Sequence, residues 1–197
     1  MPAVSGLRLP LAALRASLES LSHRFDERDP RAPQAAAALA QVTRLQHNVQ
    51  TILDAQHPTQ LRLLSCTLHE IVSSAVNALV PEHRSRVLAA VERGDERVLV
   101  DGPLVSRALT RILEIGLDQG SDSALLRVHA RDGRATFSVL LERLEASSGS
   151  IEALALHVAQ RDVERMGGQV HERMRSERCP RSFDIEFAVA GAGEEAA

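Results

Sequence analysis

Six apolar residues near the head of the chain, Leu7, Leu11, Leu14, Leu18, Leu21 and Phe25, are spaced four, three, four, three, four. That spacing holds an a/d seam in register over successive heptads, the signature of a helix packed on other helices. Pro10 falls near the start of this helix, where a missing N–H is least costly. Residues 26–33 carry two prolines and five charges and read as a turn. A second helix follows, with Ala38, Val42, Leu45, Val49 and Ile52 again at four–three spacing, and it should stop before His57-Pro58. Each helix carries surplus apolar residues, among them Leu9, Leu39 and Leu53. A hairpin of this length cannot bury enough surface by itself. A second copy would complete it as a four-helix bundle, so a homodimer is expected. Its seam would be Leu7, Leu11, Leu14, Leu18, Leu21, Val42, Leu45, Val49 and Ile52.

From Leu61 the period changes. Residues 61–66 form a short apolar run, and Leu68, Ile71, Val72, Ala75, Val76 and Leu79 mark an amphipathic helix over 68–80. Residues 87–91 and 97–100 read as strands around the Gly94-Asp95 turn signal. A helix is expected over 104–117, a strand over 125–130, a hairpin turn at Arg131-Asp132-Gly133 and its second strand over 135–141. The helix over 151–166 should be stopped by Gly167-Gly168. Strands over 169–175 and 183–189 close the sheet. In the last, Phe183, Ile185, Phe187 and Val189 alternate with Asp184, Glu186 and Ala188, so one face is buried. Helices gathered on one face of a mixed sheet make an α+β fold with a two-layer sandwich. The expected organisation is a helical hairpin over 1–57, an α/β domain over 61–190 and a disordered acidic tail over 191–197.

Composition removes several classes. At 44% hydrophobic residues the chain has ample material for a core. A net charge of −3 with mixed signs gives no nucleic-acid or anionic-membrane surface. Aromatics are 2% of the chain, too few to stack bases. No apolar run approaches the roughly 18 residues of a membrane span, and Arg8, Arg15 and Glu19 interrupt the N-terminal stretch. Cys66 and Cys179 are isolated, as reduced thiols in a cytoplasmic protein are. No histidines or cysteines have metal-ligand spacing, so no metal or cofactor is expected.

Three segments resemble the cytoplasmic modules of the bacterial sensor histidine kinases. Ser5-Gly6-Leu7-Arg8-Leu9-Pro10-Leu11 is similar to the phosphoacceptor box, His-Glu-Leu-Arg-Thr-Pro-Leu. Val100-Asp101-Gly102-Pro103-Leu104 resembles the strand end and turn that lead into the helix bearing the asparagine box. Residues 153–170, Ala153-Leu154-Ala155-Leu156 through Met166-Gly167-Gly168-Gln169-Val170, resemble the Gly-Leu-Gly-Leu helix that ends in His-Gly-Gly-x-Ile. The resemblance covers essentially the whole chain. It implies a dimerisation and phosphotransfer hairpin followed by an ATPase-like (Bergerat-type) domain, and it is shared with kinase-like histidine phosphotransferases.

The same resemblance marks what has been lost. The phosphorylated histidine aligns with Ser5, which cannot form a phosphoramidate and precedes Gly6 as a helix N-cap would. The paired asparagines that hold Mg²⁺ and phosphate align with Arg111 and Ile115, and an isoleucine cannot ligate a hard cation. The later glycines align with Ala153 and Ala155, so the backbone no longer approaches phosphates closely. Only Glu142, Glu145 and Gly149 stand where the Asp-x-Gly-x-Gly box should be, and residues 143–150 are too short for an ATP lid. The implied function is a non-catalytic, pseudokinase-like adaptor that dimerises and docks a response-regulator receiver domain or a partner kinase. The docking face would comprise Arg8, Ala12 and Arg15 with Gln50 and Asp54, its arginines suiting an acidic receiver pocket.

Two alternatives remain. The first is a phosphotransferase with a relocated relay histidine, His47 or His57, because an antiparallel hairpin brings the end of the second helix beside Ser5. An ordinary solvated histidine also fits each, and His57 suits a helix C-terminus. The second is the terminal output module of a longer sensor, since relatives carry more helix upstream of the phosphoacceptor box. His23, at the opposite end of the hairpin, is a poorer relay candidate, and His69, His83, His129, His157 and His171 read as structural or surface residues.

Overall fold

The computed structural model describes residues 5–25, 29–56, 60–141, 150–174 and 181–190. Expectations at His57, Glu142, Glu145, Gly149 and Cys179, in the tail over 191–197 and on the length of a lid over 143–150 fall wholly or mainly outside these residues. The chain divides into two compact units, Met1–Thr59 and Gln60–Ala197.

The first unit is a hairpin of α1 (Arg8–Ser22) and α2 (Ala32–Gln56). It is antiparallel: Arg8 at the start of α1 donates to Gln50 Oε1 near the end of α2 at 2.8 Å. A single 3₁₀ turn, Ser5–Leu7, leads into α1, whose N-cap is Leu7 with no side-chain hydrogen bond. Ser5 therefore lies ahead of the cap position expected of it. Pro10 sits in the first turn, where no intrahelical donor is lost. The turn expected over 26–33 is shorter, because α2 already starts at Ala32 and takes Pro33 into its own first turn.

The heptad positions of α1 part into two rows. Leu11, Leu18 and Phe25 are half-buried, whereas Leu7, Leu14 and Leu21 remain exposed. On α2, Val42 is buried, Val49 and Ile52 are half-buried, and Leu45 is exposed.

The second unit has a two-stranded antiparallel pair, β1 (Leu64–Thr67) with β3 (Arg97–Val100), and a five-stranded mixed sheet. The sheet runs β2 (Val87–Val91), β4 (Ala124–Arg131), β5 (Arg134–Leu141), β7 (Arg181–Ala188), β6 (Gln169–Met174). Among the described residues only the β2–β4 pairing is parallel. Helices α3 (Leu68–Ala78), α5 (Gly102–Asp118) and α6 (Ser150–Arg165) pack with the buried face of the sheet around one core. A short helix, α4 (Pro81–Arg84), was not anticipated; Pro81 at its first turn suits it.

Strands β2 and β3 occupy the expected residues but do not form a hairpin across Gly94-Asp95. The carbonyls of Gly94 and Glu96 accept the first free N–H groups of α3, from His69 and Leu68, at 3.1 Å each. Those donors have no partner inside their own helix. The turn is thereby drawn to the α3 terminus, and β3 leaves in the direction of β1. Thr67 and Glu70 close a reciprocal capping box on the same terminus, and their hydrogen bonds hold the Glu70 carboxyl below its ordinary range.

The central helix is fixed on three sides. Asp101 caps it by accepting from Leu104 N at 3.2 Å and also accepts from Arg62 N at 2.9 Å. Ser106 and Thr110, one turn apart, donate to the carbonyls of Ile71 and Ala75 on α3 at 3.0 Å. Gly116 lets α5 settle directly on β5, since a Cβ there would lie 2.4 Å from a buried Leu141 methyl. Gly116→Ala is therefore expected to destabilise the second unit by about 1–3 kcal/mol through overpacking. Thermal unfolding of Gly116→Ala, Leu141→Ala and the double variant checks this: the double variant should lose less than the two single losses added together.

Candidate functional site

The four positions aligned with a nucleotide site lie on α5 and α6. Arg111 is 8% exposed and Ile115 is half-buried, so the face of α5 that would hold a cation carries a guanidinium and a hydrocarbon side chain. On α6, Ala153 is exposed and Ala155 is buried. The helices pack against each other and the sheet, leaving a cavity of about 80 Å³. Ile112, Leu156, Ala159, Val170, Phe183 and Ile185 form its apolar wall. A drug-sized ligand site is typically some 300–1,000 Å³. Residues 142–149, which precede α6, are not among those described.

Charged groups missed in the sequence surround this helix pair. Asp162 of α6 is almost fully buried, with Arg161 at 2.9 Å, Arg165 at 3.7 Å and Arg107 of α5 at 3.9 Å. Three guanidiniums, one of them from α5, thus converge on one carboxylate at the α5–α6 junction. Toward the other end of α5, burial pushes the Glu114 carboxyl up to about 7, reinforced by the neighbouring Asp118 charge and opposed by Arg111. Asp118 in turn lies 3.3 Å from His83 Nε2. Among the described residues no group of histidine, cysteine and carboxylate side chains could hold a metal ion.

The hairpin brings together part of the expected docking face. Arg8 donates to Gln50, and Gln50 Nε2 donates to Asp54 Oδ1 at 2.7 Å, making a relay across the two helices. Ala12 and Arg15 are exposed, and Arg15 pairs with Glu19 at 2.7 Å. Asp54 is only 5% exposed, so it bears on that face by holding Gln50 rather than by presenting its carboxylate. His47 belongs to α2, but its side chain, like that of Ser5, lies outside the description. The i,i+4 spacing of Gln50 and Asp54 could have signalled the relay, and Arg161 and Arg165 flank Asp162 locally, but nothing local announces the approach of Arg107.

No family profile matches the chain, and no curated protein matches its sequence. Solved structures do match in fold. Full-length ShkA in complex with AMPPNP is similar with a TM-score of 0.65 at 17% identity, over 95% of this chain and 45% of that one. The chain thus spans less than half of ShkA. The histidine kinase AdeS of Acinetobacter baumannii gives a TM-score of 0.60 at 12% identity, over 94% of this chain and 98% of that one. The histidine kinase domain of the E. coli osmosensor EnvZ gives 0.55 at 16% identity, over 68% of this chain and 92% of that one. No helix among the described residues is long and apolar enough to cross a membrane. Helical hairpin, five-stranded mixed sheet and helical layer together make this chain histidine-kinase-like in fold.

Proposed function

We propose that the chain is a non-catalytic signalling protein of a bacterial two-component system, a pseudokinase or adaptor. It dimerises through its hairpin and docks a response-regulator receiver domain or a partner kinase. The observation that carries this reading is the pairing of buried Arg111 with Ile115 on α5, where the resemblance calls for oxygen ligands to Mg²⁺. In this reading the 61–190 domain is a degenerate ATPase-like platform. The exposed row of Leu7, Leu14 and Leu21 with Leu45 is the surface that a second hairpin covers, giving a four-helix bundle. Arg8, Ala12, Arg15 and Gln50 face the partner, and the Arg8–Gln50–Asp54 relay fixes how the arginine is presented.

Calorimetric titration of the full chain with Mg-ATP and with Mg-ADP tests the reading. No heat of binding is expected up to millimolar nucleotide. Micromolar binding would overturn it, and the protein should then be assayed as a kinase. Incubation with a phosphorylated receiver domain should leave the chain unlabelled. Labelling that His47→Ala or His57→Ala removes would establish a phosphotransferase instead.

A further inference from the structure

Asp101 stands where three parts of the second unit meet. One carboxylate oxygen accepts from Leu104 N at 3.2 Å and closes the first turn of α5, while the other accepts from Arg62 N at 2.9 Å. The Asp101 N–H donates to Met166 Sδ at 3.4 Å, one residue past the end of α6. Arg62 belongs to the segment that carries the chain away from the hairpin, between Gln56 at the end of α2 and Leu64 at the start of β1. In that segment Leu61 is half-buried against the core, and the side chains of Arg62 and Leu63 are exposed. The Arg62–Asp101 hydrogen bond and the packing of Leu61 hold it on the second unit.

Asp101 is 7% exposed, and among the described residues no ion pair reaches it. A carboxylate taken out of water is unfavourable unless its oxygens are hydrogen-bonded. Here two backbone amides and the positive end of the α5 dipole offset that desolvation. Each oxygen has one backbone donor, so the two bonds depend on each other. If Arg62 withdraws, a charged oxygen is left bare in the interior. It regains water only when the side chain swings out of the cap. If instead the first turn of α5 opens, the carboxylate is drawn with it and releases Arg62.

We infer that Asp101 is a latch that makes the docking of residues 61–62 and the closure of the first turn of α5 a single event. Whatever draws residues 61–62 off the second unit loosens the start of the helix that carries Arg107 and Arg111, and disturbs the Met166 anchor beyond α6. Asp101 is thus a positioning residue, and residues 61–62 are a control point for the α5–α6 pair. The inference goes beyond the signalling reading above and does not depend on it.

Amide hydrogen exchange of the full chain, followed residue by residue by NMR, tests the latch. In the wild type the Arg62 and Leu104 amides should open with the same dependence on low concentrations of urea. Arg62→Pro removes the donor and leaves Asp101 in place, and the Leu104 amide should then exchange about tenfold faster. Arg62→Ala keeps the donor and should leave Leu104 as it is. Asp101→Ser retains a helix cap but has one shorter oxygen, so in that variant the urea dependences of the two amides should separate. A Leu104 amide unmoved by Arg62→Pro overturns the latch. Different urea dependences in the wild type also overturn it, and this measurement decides the matter if Arg62→Pro exposes core amides such as that of Phe137. Dependences that stay matched in Asp101→Ser show that the coupling does not run through this carboxylate and overturn the inference as well.

Discussion

Phe137→Ala is expected to cost the second unit about 3–5 kcal/mol, a large share of a domain stability that is typically about 5–15 kcal/mol. Phe137 is fully buried at the middle of β5, its backbone opposite Val128 on β4 and Ile185 on β7. Its ring meets Phe187 edge-on, with centroids 6.3 Å apart and planes at 83°. Alanine removes the transfer energy of the ring, leaves a cavity that strands held on both sides cannot close, and deprives Phe187 of its edge-to-face partner. The chain has neither Trp nor Tyr, so far-UV circular dichroism and calorimetry are the probes to use. A midpoint within a few degrees of wild type would mean that the core relaxes around the lost ring. Phe137→Leu, which keeps most of the volume, should fall between the two.

The second large effect is one of pH. Glu114 is held near 7 in the folded chain against an ordinary value of 4.5, so folding favours its protonated form. That contribution is fully present below the unfolded value and is lost as pH rises through the folded one. Between about pH 4.5 and 7 stability should therefore fall, by about 2–3 kcal/mol from this group. Glu114→Gln keeps the shape without the charge. It should match the wild type near pH 4, below the unfolded value, and exceed it at pH 8, when midpoints are compared across the range. The difference between the two proteins isolates Glu114 from other groups such as His83 and Asp118, which are common to both. Parallel curves would show that Arg111 compensates the carboxylate fully.

Local pattern made most of the elements readable and left their partnerships obscure. Phe183, Ile185 and Phe187 alternate with polar residues, which is enough to place β7 and its buried face. Gly167 takes a φ of 79° and ends α6 as a C-terminal glycine should. The pairing of β3 with β1 depended instead on carbonyls at Gly94 and Glu96 reaching the α3 terminus, a contact that no local window contains. The heptads of α1 identified a helical hairpin, yet periodicity alone does not say which leucines turn to α2 and which stay exposed. On the candidate site, residue chemistry spoke for Ile115 directly, since hydrocarbon does not bind cations. Around Asp162 the flanking Arg161 and Arg165 were readable, but its burial and the approach of Arg107 from another helix were not. Glu114 was equally silent, being one more charge until α5 buries it.

The position of β7 bears on how the protein is made. Among the described strands it comes last in sequence, yet it lies inside the sheet, between β5 and β6. A ribosome must therefore release residues 181–188 before β6 has any neighbour to join. Until then α6 and β6 are tethered to a half-built layer with one long unpaired flank. Nascent chains of this kind fold after synthesis of that strand rather than alongside it, and a premature stop before Arg181 should yield a product for the proteases, not a shortened but working domain.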